Sequence, residues 1–169
     1  IFCLAHAFTP HKGVYGMWTP KLADKIGDNL KRIRVLELGL SSDTDMADTL
    51  KETRHFTYLS NSDAHSAPNL GREYNLLQLQ EKNFQEIRWC LANEKGRRVV
   101  ANYGLHPRLG KYYRSFCPLC GKISQEDPPI VACRFCANSK IVMGVYDRIA
   151  QIRDCENSVH PIGRPPYFY

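Results

Sequence analysis

Four cysteines constrain this chain more than any other feature: Cys117-Pro118-Leu119-Cys120, then twelve residues, then Cys133-Arg134-Phe135-Cys136. Each Cys-x-x-Cys turn aims two thiolates at one point, and two such turns complete a tetrahedron about one Zn²⁺. Gly121 suits a tight turn after the first pair, and the stretch between the pairs is long enough for a hairpin reversing near Pro128-Pro129. Disulfides belong to oxidising compartments, and a redox dithiol needs only one pair. The spacing therefore favours zinc, in a structural role, because four thiolates leave no coordination position open. Cys3, Cys90 and Cys155 stand alone and read as small buried apolar residues.

With 169 residues, 43% of them hydrophobic, the chain can bury one sizeable core and carry a small satellite. No apolar run approaches the about 18 residues of a membrane span, and no secretory leader is visible. The sequence thus reads as a soluble cytoplasmic protein without a membrane partner. Ile1 to Ala5 looks like the middle of a buried strand, and Pro165-Pro166-Tyr167-Phe168-Tyr169 ends on aromatics that a domain normally covers, so a fragment of a longer protein is expected. The net charge is +6. Most of the excess falls between Gly96 and Arg134, where Arg97, Arg98, Arg108, Lys111, Arg114, Lys122 and Arg134 face only Glu126 and Asp127. Such a field suits a polyanion, with a solvated basic face as the alternative.

The first hundred residues alternate between strand and helix patterns. Apolar runs at Ile1 to Ala5, Val35 to Leu38, Phe56 to Leu59 and Val99 to Tyr103 predict strands, and Tyr74 to Leu79 allows a short strand without requiring one. Leu22, Ile26 and Leu30 predict a helix over Lys21 to Lys31, Asp43 caps another running to Thr53, and Phe84, Ile87 and Leu91 place one over Asn83 to Glu94. This order predicts an α/β core with a largely parallel sheet. Composition changes near Leu105, giving expected units of 1–104 and 105–169, the second a basic zinc-binding module followed by a helix with Val145, Ile149 and Ile152 on one face and then a tail.

A second constellation carries chemistry. His6 follows the first strand, and Asp63-Ala64-His65 follows the strand ending near Ser60. Ligand groups in α/β folds gather beyond the carboxyl ends of the strands, so these loops are expected to share a crevice. A carboxylate with imidazoles suits Zn, Mn or Fe. Loop hydrogen bonding by the same residues is the competing reading, and three donors are too few for a multinuclear centre.

The segments Leu4-Ala5-His6-Ala7-Phe8-Thr9-Pro10, Glu37-Leu38-Gly39-Leu40-Ser41-Ser42-Asp43 and Ser60-Asn61-Ser62-Asp63-Ala64-His65-Ser66 resemble the later motifs of the polymerase and histidinol phosphatase (PHP) metallophosphoesterases. They are most similar to those of the endonuclease Q family, PHP-type nucleases that act at deaminated bases. Gly104-Leu105-His106-Pro107-Arg108-Leu109-Gly110-Lys111-Tyr112, the cysteine pairs, Gly144-Val145 and Arg164-Pro165-Pro166-Tyr167 continue the likeness. The resemblance implies the C-terminal part of a PHP-type (β/α)7 barrel followed by a small zinc ribbon. It puts His6, Asp63 and His65 in a site for divalent Zn, Mn, Mg or Fe ions, with Asp63 the first choice as essential carboxylate. It also suggests that Ser41 and Asn61 read an extruded base, turn and cap chemistry being their alternative role. Glu37 and His11 are possible supporting residues. PHP enzymes carry an early His-x-His motif that is not found here, so this stretch by itself is expected to be inactive and to need an N-terminal remainder.

What the resemblance implies is metal-dependent cleavage of DNA on the 5′ side of deaminated bases such as uracil, hypoxanthine or xanthine, or at abasic sites. Arg108, Lys111 and Arg114 would hold the backbone while Tyr112, Tyr113 or Phe116 stacks or wedges. Two alternatives stay open: a PHP-type phosphatase for a small phosphate monoester, and a non-catalytic zinc-ribbon module that binds DNA.

Overall fold

Val35 and Leu36, from the most continuous apolar run in the first half of the chain, are fully buried because their strand is the middle one of three. The computed structural model describes residues 1–169. Strands β1 (Phe2–Leu4), β2 (Ile33–Glu37) and β3 (Thr57–Leu59) lie in that order, all parallel. All three therefore deliver their carboxyl ends to one side, with Glu37 closing β2 and the loops bearing His6 and Asp63 following β1 and β3. β1 is an edge strand with Phe2 74% exposed, where an interior strand was expected.

The expected helices are shorter than their periodicity. Over Lys21 to Lys31 only α1 (Ala23–Ile26) is α-helical, and the chain continues as a 3-10 turn over Gly27–Arg32. Gly27 sits at φ +54°, in the left-handed region that ends a helix. Asp43 does cap α2 (Thr44–Ala47), its Oδ1 accepting the Met46 N–H at 2.8 Å. That helix stops at Asp48, well short of Thr53. The hydroxyls of Thr49 and Thr53 bond back to the carbonyls of Met46 and Ala47 at 2.7 Å each, side-chain chemistry that competes with a regular helix.

The second sheet departs from expectation. β4 (Tyr74–Gln78) runs antiparallel to β5 (Arg98–Tyr103), although α3 (Phe84–Ala92) connects them, and β6 (Tyr167–Phe168) joins the other side of β5 in parallel. Tyr74, Leu76 and Gln78 are exposed while Asn75 and Leu77 are half-buried. That alternation is tolerated by an antiparallel strand with one wet face, whereas parallel strands are normally covered on both faces. The six strands thus form two sheets of three, and no closed barrel is formed within the 169 residues.

The segment from Leu105 onward does not stay together. Around the cysteines the backbone pairs only through isolated bridges, Phe116 with Ile123 and with Val142, so the expected hairpin is not a regular one. Beyond it, α4 (Val145–Ile152) returns to the first region and buries Val145 and Ile149 among Phe8, Tyr15, Leu50 and Tyr58. The terminal aromatics are occupied too: Tyr167 pairs with β5, and the Tyr169 hydroxyl donates to Asp43 at 2.8 Å. A buried ion pair fixes this return. The Arg164 guanidinium bonds both oxygens of Asp48 at 2.9 Å and lies 3.7 Å over the Tyr58 ring. Asp48 is fully buried and Arg164 nearly so. No helix is long and apolar enough to cross a membrane.

Candidate active site and metal centre

The chain after the carboxyl ends of β1, β2 and β3, together with the segment from Leu105 to Tyr112, builds the cleft. Glu37, the last residue of β2, is buried and accepts two backbone N–H bonds, from His6 to Oε2 at 2.6 Å and from Gly39 to Oε1 at 2.8 Å. The same Oε2 lies 3.2 Å from His6 Nδ1. One carboxylate therefore fixes both the backbone and the ring of His6, leaving Nε2 directed at Asp63 Oδ1, 3.7 Å away. His6 and Asp63 have φ of 49° and 45°, a left-handed conformation that non-glycine residues seldom adopt and that collects at functional sites. Gly39 supports this geometry at φ +78°, and a Cβ there would stand 3.1 Å from the Thr9 hydroxyl.

His65 Nδ1 lies 4.0 Å from Asp63 Oδ1 and 2.9 Å from the Asp63 carbonyl oxygen, with the ring largely in solvent. The two imidazoles flank one carboxylate oxygen. The donor types suit a divalent ion such as Zn or Mn, but the three do not converge on one point, and the group whose donors all lie close enough to hold one ion is the four cysteines.

The cleft of about 350 Å³ is lined by His6, Thr9, Lys12, Ser41, Asp63, Arg72, Leu105, Leu109 and Lys111, among others. Of the residues expected from sequence it unites His6, Asp63, Ser41 and Lys111. Asn61 lies outside its lining and is engaged with Asn75, whose Nδ2 donates to Asn61 Oδ1 at 3.0 Å. Arg108 is exposed on the neighbouring turn. Arg114 is used internally: its Nε bonds Asp147 Oδ1 at 3.0 Å, while Asp147 Oδ2 accepts the Ser115 N–H at 2.7 Å. It ties the cysteine segment to α4. His11 is exposed and lies outside the cleft lining.

Sequence reasoning passed over Lys12, Arg72 and Glu73. The two cations were single basic residues in loops, without a pattern to mark them. Arg72 Nε donates to the Ser62 carbonyl at 2.7 Å, so it also braces the loop that carries Asp63. Glu73 is buried, accepts the Ser60 hydroxyl and, at 3.3 Å, the Leu105 N–H, and burial pushes its carboxyl up from the ordinary range.

The cysteine site is complete in itself. All four Sγ atoms lie within 4.8 Å of one another, with Cys117 to Cys136 at 3.6 Å and Cys120 to Cys133 at 3.5 Å. Zn–S bonds of about 2.3 Å in a tetrahedron place sulfurs roughly 3.8 Å apart, so these four fit one zinc ion. Asn138 Nδ2 donates to Cys117 Sγ at 3.4 Å and, as the largest influence, lowers that thiol to about 6. Cys136, despite a backbone N–H from Asn138, is pushed up to about 12 by desolvation and by bonds to the neighbouring thiols.

An α/β scaffold with an imidazole–carboxylate cleft and a separate four-thiolate site can be compared with known proteins. No family model matches the chain. It is 41% identical over 91% of its length to the uncharacterized protein YqxK of Bacillus subtilis, and 39% identical over 98% to an uncharacterized protein of Methanocaldococcus jannaschii. It covers 39% and 21% of those relatives, so it spans two fifths or less of their length. Among solved structures it is similar to the lesion-specific endonuclease PfuEndoQ of Pyrococcus furiosus, with 41% identity and a TM-score of 0.80. It is similar also to endonuclease Q in complex with a duplex substrate bearing an abasic lesion at the active site, with 39% identity and a TM-score of 0.82. Both comparisons take in 98% of this chain and 41% and 42% of the neighbour.

Proposed function

We propose that this chain is the part of a metal-dependent DNA repair endonuclease that carries His6, Asp63 and His65, and that the enzyme cuts the phosphodiester on the 5′ side of a deaminated base or at an abasic site. The observation that carries the reading is the cleft itself. A histidine and a carboxylate in strained backbone face each other among Lys12, Arg72 and Lys111. The likeness to lesion-specific endonucleases extends over nearly the whole chain, cleft loops included.

His6 Nε2, Asp63 and His65 would hold divalent ions together with donors from the rest of a PHP-type barrel outside this stretch. Ions bound there supply Lewis-acid activation of water and offset charge on the phosphate. Glu37 holds the His6 ring in one orientation, which is the role partners of ligating histidines play. Lys12, Arg72 and Lys111 bring positive charge to a backbone phosphate, and Ser41 offers a hydroxyl at the same wall. Cys117, Cys120, Cys133 and Cys136 hold a structural zinc that shapes the basic segment beside the cleft, while Arg108 adds phosphate contact outside it.

The test uses the protein in its full-length form, a uracil-containing or abasic duplex, and Mn, Mg or Zn. Asp63→Asn is expected to lower cleavage by roughly a thousandfold or more while DNA binding and fold survive. Turnover of a phosphate monoester with no cleavage of any damaged duplex would sink the reading in favour of a phosphatase. Binding without either reaction would leave only a DNA-binding module.

A further inference from the structure

An enzyme that takes a nucleotide out of a duplex must fill or prop open the gap it leaves, and apolar side chains such as Leu, Ile, Phe or Met are the usual wedges. The aromatic residues expected for this task are each partly buried. Tyr112 lines the cleft but packs against the core, Tyr113 meets Tyr146 in a tilted contact with ring centroids 5.3 Å apart, and the Phe116 backbone bridges Ile123 and Val142. Leu109 is different. It is 73% exposed, lines the lip of the cleft that holds His6 and Asp63, and stands between Arg108 and Lys111 in the chain.

The turn beneath it is rigid. Pro107 is buried, the Leu109 N–H donates to the His106 carbonyl and the Gly110 N–H to the Pro107 carbonyl, each at 2.9 Å, and His106 Nδ1 accepts the Arg108 N–H at 3.2 Å. The His106 ring stacks on Tyr169 at 4.8 Å. Gly110 is pressed so closely on the next loop that a Cβ would lie 2.1 Å from Ser41 Oγ and 2.6 Å from the Leu40 carbonyl oxygen. An apolar side chain is thus held out from a fixed platform, between cations, at the mouth of a polar cleft.

We propose that Leu109 is the wedge that enters the duplex at the lesion and occupies the space of the extruded nucleotide, with Arg108 and Lys111 gripping the phosphates on either side. It is a positioning residue, and the assignment rests on the endonuclease reading above. Single-stranded DNA has no stack to open, so the wedge has no work there. A mispaired lesion, already loosened, needs it less than a paired one.

The experiment compares Leu109→Ala, Leu109→Met and the unchanged full-length protein on the same lesion in single strands, in a mismatched duplex and in a paired duplex. Leu109→Ala is expected to lose roughly tenfold or more on the paired duplex, less on the mismatch and none on single strands, while Leu109→Met stays close to the unchanged protein. A 2-aminopurine beside the lesion, read on binding without added metal, should brighten with the unchanged protein and stay quenched with Leu109→Ala. Equal effects on single-stranded and duplex DNA, or an unchanged 2-aminopurine response, overturn the wedge. If the unchanged protein cuts no lesion in any strand form, it is the endonuclease reading that fails and the wedge falls with it. Because Leu109 buries little of itself, these variants keep the fold, which a thermal melt confirms.

Discussion

The two candidate metal sites of this chain are built in opposite ways. The four cysteines come from one stretch between Cys117 and Cys136, lie on two tight turns, and converge on one point. His6 and Asp63 come from loops after different strands, meet only because β1, β2 and β3 run parallel, and are aligned by Glu37 from the strand between them. One site is closed and local, the other open and dependent on the core. A closed thiolate site suits structure; an open imidazole–carboxylate cleft suits chemistry.

This contrast can be broken in a graded series. The largest expected effect is the roughly thousandfold or greater loss of cleavage in Asp63→Asn, with zinc content unchanged because the thiolates do not depend on the cleft. Cys117→Ser comes next. It should release the structural zinc and unfold the segment around residues 115–142, lowering stability by several kcal/mol, visible in a thermal melt and in metal content. If Cys117→Ser left both unchanged, the site would not be structural. Glu37→Gln keeps the shape of the side chain but removes the charge that steers His6, so cleavage should fall about 10- to 100-fold at nearly constant stability.

The smallest effect concerns pH. Cys117 is held low by Asn138, and a thiol lowered in the folded state contributes stability that is present above its unfolded value and is lost as pH falls through the folded one. The window therefore runs from about 9 down to about 6. Asn138→Ala should move the pH at which zinc is released upward, as measured by titrating metal content on acidification. The His6–Asp63 cleft should not respond to that substitution. A matching change in cleavage at neutral pH would mean that the two sites are coupled.

The four-cysteine cluster was legible in the sequence because Cys-x-x-Cys turns meet through local geometry, and it brings together a group that can hold a metal such as zinc. The strand pattern of the first sheet was legible for a related reason, since burial on both faces demands the continuous apolar runs at Val35 and Phe56. Helix lengths were less so: Leu22, Ile26 and Leu30 keep a helical period, yet Gly27 and the threonines after Met46 divert the backbone into tighter turns. The antiparallel β4 was missed because α3 makes the connection look like a parallel crossover.

What the sequence determined by itself was the set of chemical groups and the local turns: four thiolates in register, a capped α2, and His6 and Asp63 placed just past the ends of strands. Only the tertiary structure decided their company. It turned Arg114 inward to Asp147, brought Lys12 and Arg72 to the cleft, buried Glu73 beside it, and left Leu109 standing at its lip. The physical reason is range. A turn or a cap is settled by a few neighbouring dihedrals, whereas which distant side chains share a cleft depends on how α4, β6 and the Arg164–Asp48 pair fold the end of the chain back onto its beginning.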